Sequence, residues 1–82
     1  MKLKDIGRIR IMWYLDCFIG SDLKFPVNSY KYDTVEGAIL DGKDVLERQN
    51  ITGIYAVDIY AETGTKRRFY NSKSLNYLLV YL

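Results

Sequence analysis

The sequence contains no histidine. That removes the commonest general base and the commonest metal ligand. Cysteine occurs once, as Cys17, so neither an intramolecular disulfide nor a zinc site of the usual kind is expected. Cys17 stands among apolar neighbours in "IMWYLDCFIG", which marks a buried, inert thiol rather than a reactive one. A lone thiol also fits a reducing, cytoplasmic setting. There is one proline and no low-complexity run, so no linker is expected, and 82 residues make a single domain over 1–82. The longest apolar run carries Asp16 and is too short to span a bilayer. No apolar stretch of the secretory type follows the charged "MKLKDIGRIR". No phosphate-cradling glycine loop is present, because Gly37 and Gly42 fall inside a helical pattern rather than after a strand. Ser21 in "GSDL" has no histidine to activate it and reads as a turn serine. Asp41 and Asp44 are helix neighbours on a solvated face, not an acid–base pair. The expectation is a protein that is not an enzyme and needs no cofactor or metal.

What is present is ordinary for a globular chain: 49% apolar and 27% charged residues, which argues against disorder. The charge is unevenly spread. Residues 1–10 carry +3 and residues 66–73 carry +4, whereas residues 11–65 carry −5. The chain has basic ends and an acidic centre.

From Arg8 to Ile19 the residues alternate. Ile9, Ile11, Trp13, Leu15, Cys17 and Ile19 form an apolar face; Arg8, Arg10, Met12, Tyr14, Asp16 and Phe18 form a mixed one. Period two predicts a strand. "GSDL" is a turn, and Phe25 to Tyr32 is a second, antiparallel strand that starts at Pro26 or lies at an edge. "DTVE" resembles a capping box led by Asp33 and opens a helix over 33–49. Val35, Ala38, Ile39, Gly42, Val45 and Leu46 make its apolar stripe, with Gly42 allowing close approach to the sheet near Trp13, and Asn50 stopping it. Ile54 to Ala61 is a third strand, with Tyr55, Val57, Ile59 and Ala61 on one face and Ile54, Ala56, Asp58 and Tyr60 on the other. "ETGT" is a hairpin turn with positive φ at Gly64, and Thr65 to Tyr70 is the fourth strand. Residues 74–82 form a short helix capped by Ser72 or Ser74, or alternatively a fifth strand. The fold class is therefore α+β: a two-layer sandwich with an antiparallel sheet of about four strands in β-β-α-β-β order and one main helix across one face.

Function then rests on surfaces. "TKRRFYNSK" puts four cations beside two aromatics. In a strand Lys66, Arg68 and Tyr70 share a face, and Arg67 and Phe69 share the other. Phe69 marks the core side, so Arg68 and Tyr70 project from the face without a helix. The candidate binding set is Arg68, Tyr70, Lys66, Arg8, Arg10, Tyr14 and Tyr60, with Tyr30 a further candidate for that face. Arginine with tyrosine is a common composition of protein-binding hot spots. It also serves modules that hold nucleic acid or a phosphate-bearing nucleotide by stacking and charge, which is the alternative. A patch of Met12, Tyr14, Phe18, Ile54 and Tyr60 on the open face would favour a homodimer. As a compact domain rich in tyrosine and lysine without catalytic motifs, the chain resembles the small accessory proteins with which phages bind and block host machinery. The absence of catalytic chemistry, with oppositely charged faces on a small scaffold, gives the expectation of a non-enzymatic binding domain, an inhibitor or adaptor with a protein partner, and the short apolar run gives that of no membrane role.

Overall fold

A computed structural model describes residues 11–80. Four strands and three helices follow in the order β1 (Trp13–Ile19), β2 (Asn28–Tyr32), α1 (Val35–Glu47), α2 (Gln49–Thr52), β3 (Ile54–Ala61), β4 (Arg67–Phe69) and α3 (Ser72–Val80). The strands make one antiparallel sheet in the spatial order β2-β1-β3-β4. The fold is α+β, and no helix among the described residues is long and apolar enough to cross a membrane.

The alternation in β1 decides which face meets the helices. Leu15 and Cys17 are buried with Val57 and Ile59 of β3, under Val35, Ala38, Ile39 and Leu46 of α1 and Leu75 of α3. The predicted stripe is thus the buried stripe of α1, including Gly42. A Cβ at Gly42 would stand 3.3 Å from Leu15 Cδ1 and 3.3 Å from Leu75 Cδ1. The close approach is real, but its neighbours are Leu15, Leu75 and Ile59 rather than Trp13, which packs at the rim of the core. The Tyr32 hydroxyl donates to Asp41 Oδ2 at 2.7 Å and ties β2 to α1.

Several local expectations are corrected. The N-cap of α1 is Thr34, whose side chain accepts from the Gly37 amide at 3.1 Å; Asp33 lies one residue too early for the cap role. The helical path does not stop at Asn50. It breaks at Arg48, resumes over Gln49–Thr52, and ends at Gly53, whose φ of 74° supplies the left-handed stop that a side chain would strain. Gly64 has no positive φ, because the Gly64 amide closes a turn on Ala61 O at 2.9 Å and glycine at the last position of such a turn needs none. Asn71 caps α3, its Oδ1 accepting from the Ser74 amide at 3.0 Å and from the Ser74 hydroxyl at 2.9 Å. The segment after β4 is a helix rather than a fifth strand, because Leu75 can reach the core only from a helical turn beside α1. Ile54 belongs to the helix-side core and not to the open face. The β1–β3 register slips between Phe18 and Ile19, and the slip turns Ile54 inward opposite Ile19. Tyr30 pairs with Leu15 and therefore also faces the helices.

Candidate functional site: a cross-strand acid pair on the open sheet face

The sheet face turned away from the helices is built by the antiparallel pairing of β1 with β3. Tyr14 stands opposite Tyr60, Asp16 opposite Asp58, and Phe18 opposite Ala56. The motif Tyr-x-Asp in β1 meets its reverse, Asp-x-Tyr, in β3, and antiparallel register superposes like on like. Like charges directly opposite each other repel. Here both are also shielded from water, with Asp16 3% and Asp58 5% exposed. Such a pair persists only if each carboxylate is separately compensated.

The neighbouring strands supply that compensation. From β4, Arg68 grips Asp58 with both ends of its fork, Nε to Oδ1 at 2.7 Å and Nη2 to Oδ2 at 3.1 Å. From β2, the Ser29 hydroxyl donates to Asp16 Oδ1 at 2.8 Å, and from β3 the Tyr60 hydroxyl donates to Asp16 Oδ2 at 3.0 Å. Lys66 Nζ lies 4.0 Å from Asp16 Oδ2. Among the described residues no buried side-chain nitrogen or oxygen is left without a partner.

The aromatics form the second tier. Tyr14 and Tyr60 stack with centroids 5.3 Å apart, and Lys66 lies over the Tyr60 ring at 4.7 Å. The Arg68 guanidinium covers the Phe18 ring at 4.3 Å, which contributes to Phe18 being only 2% exposed on a face that no helix among the described residues covers. The expected open patch of Met12, Tyr14, Phe18, Ile54 and Tyr60 is therefore broken up: Phe18 is roofed by Arg68 and Ile54 is inside. Arg68 is held above its usual basicity, first by its hydrogen bonds to Asp58, against desolvation; Tyr70 adds to the effect from the same side. Tyr70 itself is at the end of the sheet, edge-to-face with Tyr55 at 5.6 Å.

Of the candidate residues, Arg68, Lys66, Tyr14 and Tyr60 thus meet on one face, with Tyr70 at its end. Arg8 and Arg10 lie outside the described residues. Asp16 and Asp58, the centre of the arrangement, escaped sequence reasoning. The mirrored Tyr-x-Asp and Asp-x-Tyr were legible, but only the register makes them partners. Both carboxylates lie buried under their own partners, so the pair organises the strands around it.

The network sets an alkaline limit on stability. Burial, then its bond to Asp16, pushes the Tyr60 hydroxyl up from 10.0 to about 12. Burial, with Asp16 adding, pushes the Cys17 thiol up from 9.0 to about 11. Both groups become anions on losing a proton, and the fold favours their neutral forms. Their contribution is complete below the unfolded values and is lost as pH rises through the folded ones. The melting temperature is expected to fall between about pH 9 and 12, and more gently in Tyr60→Phe. An identical fall in the two proteins would remove Tyr60 from the account.

Comparison of the chain with known protein families, with curated proteins and with solved structures finds no match.

Proposed function

We propose that the chain is a non-enzymatic binding domain that works by protein–protein contact through the open sheet face, as an inhibitor or adaptor. The reading takes the fold as a two-layer sandwich, with helices on one side and the contact face on the other. The observation that carries it is the state of the cations. Arg68 is already bound bidentately to Asp58, and Lys66 sits beside Asp16 and over Tyr60. Cations committed to carboxylates are poor ligands for a phosphate backbone, which weighs against the nucleic-acid alternative. A rigid surface of tyrosine rings edged by paired charge suits a protein partner. Tyrosine gives a large contact at low entropic cost, and fixed charges reject wrong partners.

The test is a pull-down from lysate with wild type and with Tyr14→Ala and Lys66→Ala, each with and without nuclease. Lys66 is largely exposed, its ion pair is long, and the Ser29 and Tyr60 hydroxyls still hold Asp16 without it, so its loss costs the fold less than loss of Arg68, and retention is read against the folded fraction. The expected result is a protein retained by wild type after nuclease and lost, at least about tenfold, with either variant, as befits hot-spot residues. Retention that vanishes with nuclease, or that falls steeply with salt, would transfer the face to nucleic acid. Light scattering of the isolated protein at micromolar concentration separates a foreign partner from a second copy of the chain.

A further inference from the structure

On the helix side of the sheet, away from the acid pair, a pocket of about 330 Å³ opens where the β3–β4 connection meets α3. Its apolar walls are Trp13, Ile59, Ala61 and Leu78, and its polar members are Thr65 and Arg67. Arg67 pairs across the ladder with Ile59, which sets its side chain on this face and not with Arg68. Among the described residues no carboxylate pairs with Arg67, in contrast to Arg68 and Arg48. The pocket therefore combines a flat indole, aliphatic walls and one guanidinium with no carboxylate partner among the described residues.

We propose that this pocket binds a small carboxylate with a flat apolar or aromatic body. The volume is at the lower end of small-molecule sites, which suits one ring rather than a large ligand. The walls favour an apolar body, and the indole offers it a face or edge to stack on. Charge chooses the polar end. A cation is repelled by Arg67, a neutral group forgoes the charge-assisted bond, and a carboxylate matches its planar fork with two parallel hydrogen bonds. Multiply charged phosphates fit worse, because apart from Thr65 the remaining lining offers no polar side chain and would desolvate the excess charge. The site is independent of the protein-contact reading, since it is built from the opposite face of the sheet.

Trp13 is the one tryptophan in the chain, so its emission reports occupancy directly. The probes are phenylacetate and its uncharged isostere, 2-phenylacetamide, titrated into the full chain. Phenylacetate is expected to give a saturable change in Trp13 emission. The amide should need about tenfold more ligand or higher, the least that follows from loss of a charge-assisted hydrogen bond. Arg67→Gln should weaken phenylacetate by a similar factor and leave the amide unchanged, whereas Arg67→Lys keeps the charge but not the fork and should fall between. Because Arg67 is exposed and makes no ion pair among the described residues, these variants are expected to melt with wild type, which the same emission follows on heating. A change that does not saturate, equal affinity for acid and amide, or undiminished phenylacetate binding in Arg67→Gln would each overturn the assignment.

Discussion

Arg68→Ala is expected to destabilise the protein by about 3 kcal/mol, because it leaves the Asp58 carboxylate buried without its counter-ion. The Asp58 side chain is only 7% exposed, while that of Arg68 is 29% exposed. The partial exposure of the arginine places the cost at the lower end of what breaking a buried pair entails. The same change uncovers Phe18, which Arg68 roofs. In a domain of this size such a loss lowers the melting temperature by roughly 10–25 °C. The pairing itself is not expected to be the source of net stability. Replacing both partners by apolar residues of similar shape, Asp58→Leu with Arg68→Met, should recover most of the loss, since two desolvated charges are then removed together. Thermal melts of the single and double variants check this, and a single variant within 0.5 kcal/mol of wild type, about the scatter of surface changes, would mean that water screens Asp58 after all. The result also changes what an Arg68→Ala binding assay measures. From sequence, Arg68 belongs to the candidate binding set. With Arg68 committed to Asp58, its removal perturbs the fold first, and binding has to be read against the folded fraction.

Gly42→Leu is the second large effect, a loss of roughly 1–3 kcal/mol through overpacking. A Cβ alone already stands 3.3 Å from the ends of Leu15 and Leu75 and 3.5 Å from Ile59 Cδ1. Those three side chains belong to the core cluster, so the further isopropyl group of leucine has nowhere to go without lifting α1 from the sheet. Gly42→Ala is the informative companion. It gains about 1 kcal/mol of helix propensity and loses a comparable amount to the tight contacts, so it should fall near wild type. Chemical denaturation of both variants distinguishes a shape constraint from a general intolerance of the site. If leucine were as well tolerated as alanine, the helix would not be seated at this distance.

The regular parts of the fold were legible because each carried its own period. The alternation through Trp13, Leu15 and Cys17 and the stripe of Val35, Ala38, Ile39 and Leu46 name their buried faces before any partner is known. The face assignment at Phe69 was legible for the same reason: one apolar residue between cations fixes which side is core, and Phe69 does pack against the core while Arg68 faces Asp58. Ends were less legible. Thr34 displaces Asp33 as the cap, and Gly53 rather than Asn50 stops the helical path, because a cap depends on where the first and last amides fall and neighbouring residues of similar chemistry compete for it. Ile54 was misplaced because a single-residue slip in register reverses every side chain beyond it, and nothing in the local pattern announces a slip. The acid pair was hidden for a different reason. Asp16 and Asp58 each read as an ordinary polar residue on a half-exposed strand, and their burial is a property of the pairing of two distant segments with cover from a third and a fourth.

The spatial order β2-β1-β3-β4 also governs how the chain finds its fold. Two outer hairpins are nearly local in sequence, but the seam that joins them is not: the bond from Tyr60 to Asp16 alone spans 44 positions. Bringing such ends together costs entropy that no local contact returns, so the search for the seam, and not the formation of either hairpin, sets the pace of folding. The helix α1 lies within that span and packs against both β1 and β3. Wound as a helix, its 13 residues span about 20 Å, far less than the same residues extended, so the connection between the two halves of the sheet is short in space although long in sequence.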